Sequence, residues 1–402
     1  MNLTALINGL VAPGIAGDTE MLTSVSAALG TAVLGANNTV SYTAPATGLD
    51  TITFTVADQY GDSATGKVAD TVDAGPTAGS AHLYIAPGQS LDLTNSLLAL
   101  DTPGLPGDTL SLTAVGTSGT TGTVTLSKGD LSYTAPAGGS ADIFTYTVSD
   151  QLGDSATGSV NVTLDSSLLK NDNITLSGSG IIIDGMSGKN IDVSLTGGNN
   201  TVLLGDGNDQ VTLSGNGSLV SVGGGNDQLS VMGNNDTATA GNGNENLTVT
   251  GNNDHFTIGN GNDDVTVNGT GESITAGTGN DTFSLGASTA SLVLHGQHDT
   301  VSVNGGRDTI TDTPNSTDAL SLQVGALGGT VTVGNFSVAK GVVMLADALA
   351  SAELWMTPAQ VTAAVRSDNH GGSLLSFGAS GSIDFLSVSP NELHASNFHI
   401  GS

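Results

Sequence analysis

A nine-residue repeat without insertions constrains the fold of this chain more than any other feature. It covers residues 194–310 in thirteen consecutive copies, such as LLGDGNDQV and TIGNGNDDV. The second and ninth residues of every copy are apolar, and the first residue is Ser or Thr in all but Leu203 and Val293. This alternation predicts very short strands with two side chains inward and one outward. Because such strands cannot stand alone, we expect the copies to stack as the coil turns of a β-solenoid.

The turns between these strands alternate in type. Turns of the GxGND or GxGNE kind recur every eighteen residues, with Gly-Asn-rich turns between them. Two nonapeptides therefore make one coil turn, and each type of turn stacks along its own side. The first flank is defined here as the stack of turns that start at Gly205, Gly223, Gly241, Gly259 and Gly277. The second flank is the stack that starts at Gly215, Gly233, Gly251 and Gly269.

An acidic residue recurs at one fixed position along the first flank. Neighbouring coil turns lie ~4.8 Å apart, so unit charges repel by roughly 3–4 kcal/mol at an effective dielectric of about 20. No Lys or Arg between residues 205 and 299 offsets this repulsion. Carboxylates, with backbone carbonyls that Gly turns inward through positive φ, make an all-oxygen site of the kind that Ca²⁺ prefers. A solenoid whose Asn and Asp merely suit turns would explain the Asn residues but not this acid.

The predicted Ca²⁺ ligands are therefore mostly on the first flank. They are the acids Asp209, Asp227, Glu245, Asp263, Asp281 and Asp299, with the turn glycines Gly205, Gly207, Gly223, Gly225, Gly241, Gly243, Gly259, Gly261, Gly277 and Gly279. On the second flank the Gly spacing is degenerate, and Ser218 and Ala290 stand where an acid is expected. This flank is expected to hold fewer ions or none, and its weaker candidates are Asp236, Asp254, Glu272 and Asp308.

These repeats resemble the RTX, or hemolysin-type, family, whose nonapeptide G-G-x-G-x-D-x-U-x forms a Ca²⁺-binding parallel β-roll. The resemblance covers roughly residues 176–310 and repeats in register. One departure is the family's first Gly, which is replaced on the first flank by Leu204, Val222, Ala240, Ile258 or Ala276. The resemblance implies several bound Ca²⁺ ions, with about four between the turns of the first flank.

The first 165 residues contain two copies of another unit. SYTAP occurs at residues 41–45 and 132–136, and DQYGDSATG from Asp58 matches DQLGDSATG from Asp150. Alternating runs such as TITFTVAD predict a β-sandwich of about 90 residues in each copy. The units resemble bacterial Ig-like and cadherin-like modules, which we place at residues 1–75 and 76–165. The first lacks the opening strand of the second, which suggests that Met1 is not a native domain start.

The DQxGD runs contain Asp58, Asp62, Asp150 and Asp154. One interpretation is a metal site between modules. The other, which we favour, is a tight hairpin that uses Asp and Gly for its turn geometry.

The β-roll is placed at residues 166–310, and a small mixed α/β cap at 311–402. After Ile310 the nine-residue register is lost. We predict β structure for VGALGGTVTVGNF and helices for GVVMLADALASAELW and TPAQVTAAVRSD. The second helix has Thr357 as its N-cap, Pro358 in its first turn and Gln360 at the third capping position. Residues 373–377 and 382–386 predict a hairpin, and Trp355 is expected to pack in the cap.

This tail resembles the C-terminal region of RTX proteins that are exported by type I secretion. The residues that carry the resemblance are DNHGGSLLSFGASGSIDF and LHASNFHI. A cap that covers the open end of the solenoid is the alternative, and the two interpretations are compatible.

Composition excludes several classes of function. The net charge of -30 argues against binding to nucleic acid or anionic membranes, and the absence of Cys excludes a disulfide framework. No apolar stretch is long enough to span a bilayer, and the N-terminus has no basic region typical of a signal peptide. No G-x-S-x-G, H-E-x-x-H or Walker motif indicates an enzyme. His295 and His298 are interpreted as solvated turn residues rather than a metal site.

These patterns favour a secreted, Ca²⁺-binding structural or adhesive protein of a bacterial cell surface. Its expected partners are calcium, the type I secretion machinery, and cell-surface polysaccharide or further copies of itself. Three alternatives remain open: a surface-layer lattice subunit, the non-catalytic part of an RTX enzyme, and an ice-binding adhesin segment.

Overall fold

The computed structural model describes residues 1–12, 18–45, 48–72, 74–170, 172–185, 187–286, 289–296, 298–313, 320–326, 328–346, 350 and 357–401. Most of these residues are in β-strands. The chain divides into two compact units. One comprises residues 1–79, 101–114 and 146–158, and the other residues 80–100, 115–145 and 159–402.

The N-terminal repeat forms an Ig-like module of antiparallel sheets. Strands β1 (Glu20–Ala27), β4 (Gly48–Asp58) and β5 (Ser63–Val72) make one sheet in the order β1-β4-β5, and β2 (Thr31–Leu34) pairs with β3 (Val40–Thr43). Helix α1 (Thr4–Leu10) contributes the buried Ile7 to the module's core. Alternating apolar residues of β3 and β4, among them Tyr42, Ile52 and Phe54, fill that core, as the alternation in the sequence predicts.

The second repeat contains the corresponding elements preceded by an extra strand. These elements are β6 (Ser80–Ile85), β7 (Ser90–Asp92), α2 (Thr94–Leu98), β8 (Ser111–Gly116), β9 (Thr123–Ser127), β10 (Asp130–Thr134), β11 (Ala141–Ser149) and β12 (Ser155–Leu164). Strands β7, β10 and β9 form an antiparallel sheet. The extra strand β6 pairs in parallel with β12.

Strands that stack in parallel on two faces form the predicted solenoid. The first face contains β13 (Asp172–Ser177), β15 (Ile191–Thr196), β17 (Gln210–Ser214), β19 (Gln228–Asn234), β21 (Asn246–Asn252), β23 (Asp264–Val267), β25 (Thr282–Leu285) and β27 (Thr300–Asn304). The second face contains β14 (Ile181–Asp184), β16 (Thr201–Leu203), β18 (Leu219–Ser221), β20 (Thr237–Thr239), β22 (His255–Thr257), β24 (Thr270–Thr275), β26 (Thr289–Leu294) and β28 (Thr309–Asp312). From β15 onward, most partners along a face are eighteen residues apart, as the spacing of the turns predicts.

The solenoid begins on the second Ig-like module. Strand β6 pairs in parallel with β14, so that Leu83 lies opposite Ile182 and Tyr84 opposite Ile183. A strand of the module thus serves as the first strand of the second face. The backbone groups of β14 that face away from β16 are therefore paired with the module rather than with water.

The solenoid also continues beyond Ile310, where the eighteen-residue spacing ends. Strands β29 (Ser321–Ala326), β30 (Thr330–Gly334) and β31 (Val342–Leu345) stack in parallel on β27, β28 and β29 across longer turns. Strands β34 (Ser382–Leu386) and β35 (Phe398–Ile400) extend the two faces further. The loss of the sequence repeat therefore marks longer turns, not the end of the parallel stacking.

The C-terminal predictions are confirmed in part. Thr357 caps α3 (Pro358–Ala364) by accepting the backbone N–H of Gln360 at 3.4 Å. β33 (Ser373–Ser376) and β34 form the predicted antiparallel hairpin, and β32 (Arg366–Ser367) pairs with β33. The predicted helix that starts with GVVML is wrong over Val342–Leu345, because these residues extend the first face of the solenoid. Its residues 347–349 and 351–355, which include Trp355, lie outside the described residues.

Candidate metal centre

The predicted acids of both flanks lie at equivalent, buried positions. Their exposed fractions are between 0 and 2%, although an ionised side chain is seldom so buried without a partner. The first flank contributes Asp209, Asp227, Glu245, Asp263, Asp281 and Asp299, and the second Asp236, Asp254, Glu272 and Asp308. Ser218 and Ala290 occupy the same position on the second flank and are also buried. The stacking of the coil turns thus places second-flank acids as deeply as those of the first.

One carboxylate oxygen of every acid except Glu245 holds the register between coil turns. It accepts the backbone N–H of the residue at the same position one coil turn earlier. On the first flank these donors and acceptors are Ile191 and Asp209 (2.8 Å), Asp209 and Asp227 (2.8 Å), Glu245 and Asp263 (2.9 Å), Asp263 and Asp281 (3.1 Å), and Asp281 and Asp299 (2.9 Å). On the second they are Ser218 and Asp236 (2.7 Å), Asp236 and Asp254 (2.8 Å), Asp254 and Glu272 (2.7 Å), and Ala290 and Asp308 (2.8 Å).

The other carboxylate oxygen is buried without a hydrogen-bond partner. This holds for Oδ2 of Asp209, Asp227, Asp236, Asp254, Asp263 and Asp281 and for Oε1 of Glu272. Both carboxylate oxygens of Glu245 lack a partner. A buried charge without a partner costs several kcal/mol, on the order of the whole stability of a domain. These oxygens therefore call for a cation or a proton.

The turn glycines allow backbone carbonyl oxygens to lie close to these carboxylates. A Cβ at Gly251 would overlap the carbonyl oxygen of Gly233 and approach Oδ2 of Asp254 to 2.7 Å. On the first flank, a Cβ at Gly243 would overlap the carbonyl oxygen of Gly225 and approach Oε1 of Glu245 to 2.6 Å. The same clash with the carbonyl of the preceding turn occurs at Gly233, Gly261, Gly269 and Gly279. At each of these glycines, a carbonyl oxygen and a carboxylate oxygen therefore lie close together.

The predicted reason for the glycines was wrong. Among the ten turn glycines nominated on the first flank, only Gly225 has a positive φ, of 150°. The others, such as Gly241 and Gly259, are required because a Cβ would collide with the backbone of the turn below. Close stacking rather than left-handed backbone geometry therefore excludes side chains here.

Asn200 shows which kind of side chain satisfies the acid position without a cation. It is buried at the acid position of the second flank, and its Oδ1 accepts the N–H of Ile181 at 3.0 Å. Its Nδ2 donates to the carbonyl oxygens of Gly197 (2.8 Å) and Gly178 (3.2 Å). A donor thus occupies the place where the acids have an unpartnered oxygen. The sequence interpretation missed this role, although Asn200 stands at the acid position of its nonapeptide.

Burial is the main cause of the raised pKa values of the acids. It raises the pKa of Asp209 and Asp236 to about 6 and that of Asp281 and Glu272 to about 7, with neighbouring carboxylates adding to the shift. The pKa of Glu245 rises to about 9, because burial and the nearby Asp263 both disfavour its ionised form. A cation beside these stacked carboxylates would stabilise their ionised forms and so lower their pKa values.

The donor set fits a hard cation. Carbonyl and carboxylate oxygens are the polar atoms nearest to a Cβ at some of the turn glycines, which suits Ca²⁺ rather than a transition metal; these glycines are Gly233, Gly243, Gly251, Gly261, Gly269 and Gly279. Among the described residues, no three side chains of His, Cys, Asp or Glu converge as a metal cluster. Backbone carbonyls would therefore have to supply many of the ligands.

The remaining sequence candidates have turn roles. Oδ1 of Asp58 accepts the N–H groups of Tyr60 and Asp62 at 2.9 Å, and Oδ1 of Asp150 accepts those of Leu152, Gly153 and Asp154 at 2.8–3.0 Å. The predicted hairpin geometry of DQxGD is thus confirmed. His295 and His298 are exposed.

Each Ig-like module buries an Asp–Tyr pair that the sequence interpretation missed. The Tyr42 hydroxyl donates to Oδ2 of Asp50 at 2.9 Å, and the Tyr133 hydroxyl donates to Oδ2 of Asp142 at 2.7 Å. Three backbone N–H groups also donate to each carboxylate. The recurrence of Tyr eight or nine residues before Asp was the available indication.

Comparisons with known proteins agree with the N-terminal fold. The bacterial Ig domain family (Big_9) matches residues 3–71 and 73–163, less than half of the chain. No curated protein sequence matches. In the described part of the chain, no helix is long and apolar enough to cross a membrane.

Three solved structures show weak similarity. A titin I-band fragment, I67–I69, is 12% identical with a TM-score of 0.20, covering 37% of this chain and 59% of the fragment. A chimeric titin Z1Z2 carrying a decorin-derived KLER peptide is 12% identical with a TM-score of 0.15, covering 36% and 82%. The mixed-linkage glucan utilisation protein SGBP-B of Bacteroides ovatus, in complex with a heptasaccharide, is 14% identical with a TM-score of 0.12, covering 41% and 45%. At TM-scores this low, these structures add nothing about fold or function.

Proposed function

We propose that the solenoid binds Ca²⁺ along both flanks and that the chain is a secreted structural or adhesive protein of a bacterial cell surface. One observation carries the proposal: buried carboxylate oxygens without partners, such as Oδ2 of Asp254, lie close to backbone carbonyl oxygens of the adjacent coil turn. A bound Ca²⁺ would supply the positive charge that these oxygens lack. The Ig-like modules and the solenoid fit a surface protein.

The carboxylates and the glycines of the solenoid would contribute to Ca²⁺ binding in different ways. One oxygen of every acid except Glu245 fixes the spacing of adjacent coil turns through a backbone N–H, as between Asp236 and Asp254. The other oxygen is left to face the ion. The glycines let the carbonyls of the adjacent coil turns lie close to the carboxylates, because a glycine has no Cβ to collide with them. Binding would therefore be linked to stacking, and Ca²⁺ would stabilise the folded solenoid by mass action.

A titration of the full chain tests Ca²⁺ binding. Far-UV circular dichroism and thermal unfolding are recorded in chelator and at increasing Ca²⁺ or Mg²⁺, and calorimetry gives the number of ions. We expect Ca²⁺ to increase β signal and the melting temperature more than Mg²⁺ does. Asp263→Asn should weaken the response, whereas Asp264→Asn, at the exposed neighbouring position, should not. An unchanged spectrum and melting temperature in chelator would exclude the proposal.

Export through a type I system is part of the same proposal. Its support is the resemblance of the C-terminal residues to the exported end of RTX proteins. Low internal Ca²⁺ would keep the acid-rich turns unfolded for passage. Co-expression with a type I exporter tests this, because the full chain should reach the medium and a chain without residues 311–402 should not. Equal release of both would contradict it.

A further inference from the structure

The acid positions of the solenoid change to neutral residues at both of its ends. On the first flank, Ile191 precedes Asp209, and Leu320 follows Asp299, as the pairing of adjacent strands shows. Ile191 and Leu320 are fully buried. The coil turns at either end of the acidic section thus bury hydrocarbon where the middle buries carboxylates.

The second flank has the same arrangement. Ile181 and Asn200 lie at the acid position before Ser218, and Val331 follows Asp308. Ile181 and Val331 are buried, and Asn200 satisfies the carbonyls of Gly178 and Gly197 with its own amide. No cation is needed to neutralise any of these positions.

Each end is also supported by other contacts. At the N-terminal end, β14 pairs with β6 of the Ig-like module. At the C-terminal end, Phe336 packs against Phe385 with ring centroids 5.1 Å apart, and Val361 of α3 is buried in the same core. Hydrophobic burial and strand pairing therefore stabilise both ends without an ion.

We infer that Ca²⁺ controls only the middle of the solenoid, so that its removal opens residues 205–308 while both ends stay folded. This inference rests on the proposed Ca²⁺ binding. The folded middle is about 30 Å long at ~4.8 Å per coil turn. Unfolded, the same segment would span roughly 55 Å on average. Ca²⁺ would thus convert a flexible acidic tether between two folded ends into a short rigid rod.

Hydrogen exchange of the full chain in Ca²⁺ and in chelator tests the inference. In chelator, we expect the amides of residues 205–308 to lose protection and those of residues 174–200 and 320–400 to keep most of it. Loss of protection along the entire solenoid would overturn the inference while leaving Ca²⁺ binding intact. Equal protection of the middle in both conditions would instead count against Ca²⁺ binding itself.

A matched pair of variants tests the role of Asn200. Asn200→Asp replaces the buried amide by a carboxylate, while Asn199→Asp makes the same change at the exposed neighbour. In chelator, only Asn200→Asp should lower the hydrogen-exchange protection of residues 181–200, by at least tenfold. Ca²⁺ should restore part of this protection. Equal exchange in the two variants would show that the amide of Asn200 does not make this end independent of the ion.

Discussion

The backbone N–H of Asp236 donates to Oδ1 of Asp254, 2.8 Å away and one coil turn further along the chain. Oδ2 of the same Asp254 has no partner. One side chain therefore has two tasks: its first oxygen joins successive coil turns, and its second introduces a charge that the protein does not neutralise. The acids would thus hold successive coil turns in register only where a cation or a proton offsets their negative charge.

Asp254→Asn should make the solenoid less dependent on Ca²⁺. The amide keeps the acceptor for the N–H of Asp236 and supplies donors to carbonyls, as Asn200 does. In chelator, we expect a gain of roughly 1–3 kcal/mol in the free energy of unfolding. The additional stabilisation by Ca²⁺ should shrink because one carboxylate is lost. Denaturant unfolding with and without Ca²⁺ measures both, and exposed Asp264→Asn is the control. A destabilised variant in chelator would refute the comparison with Asn200.

Gly251→Ala should destabilise the solenoid. The new methyl group would overlap the Gly233 carbonyl oxygen and crowd Oδ2 of Asp254. Overpacking of this kind costs roughly 1–3 kcal/mol. Thermal unfolding in Ca²⁺ measures the loss. Gly224→Ala is the matched control, because the nearest atom to its Cβ would be 3.3 Å away. Similar melting temperatures for the two variants would show that the turns can separate to admit a Cβ.

Without Ca²⁺, the solenoid should be more stable in acid. Burial first, and then neighbouring carboxylates, raise the pKa of Asp281 to about 7 and that of Glu245 to about 9. A raised folded-state pKa gives stability that is fully present below about pH 4 and is lost as the pH rises through about 6–9. The melting temperature in chelator should therefore be higher at pH 4.5 than at pH 8. Saturating Ca²⁺ should offset the loss at pH 8. A chelated protein that becomes more stable toward pH 8 would contradict this.

The first Ig-like module should respond to acid in the opposite direction. Burial alone would raise the pKa of Asp50, but the N–H groups of Gly30 and Leu29 and the Tyr42 hydroxyl outweigh it and lower the pKa to about 2. Its contribution is present above about pH 4 and is lost as the pH falls through about 2. Hydrogen exchange of residues 20–72 should be faster in Asp50→Asn than in the wild type at pH 5, with the difference vanishing near pH 2. Exposed Asp130→Asn is the control, and a difference that persists at pH 2 would rule out this role for the ionised carboxylate.

Much of the fold follows from local periodicity. Apolar residues such as Val265 and Val267 recur with period two within each short strand, and both are fully buried. The helix at Pro358 has its own capping residues and was predicted correctly. By contrast, Val342–Leu345 has no local feature that distinguishes a buried helix from a strand. Its pairing with β29 decides the outcome, and that partner lies about twenty residues away.

The sequence by itself determined the coil period, the two N-terminal repeats and the column of acids, because each depends on spacing along the chain. Only the tertiary structure decided that Asp254 and its neighbours on the second flank are buried like those of the first. It also revealed that Asn200 substitutes an amide for the carboxylate and that stacking continues past Ile310. The reason is that the burial of a side chain and its hydrogen-bond partners depend on atoms of the adjacent coil turns. The nine-residue pattern specifies which residues recur but not how closely the turns approach.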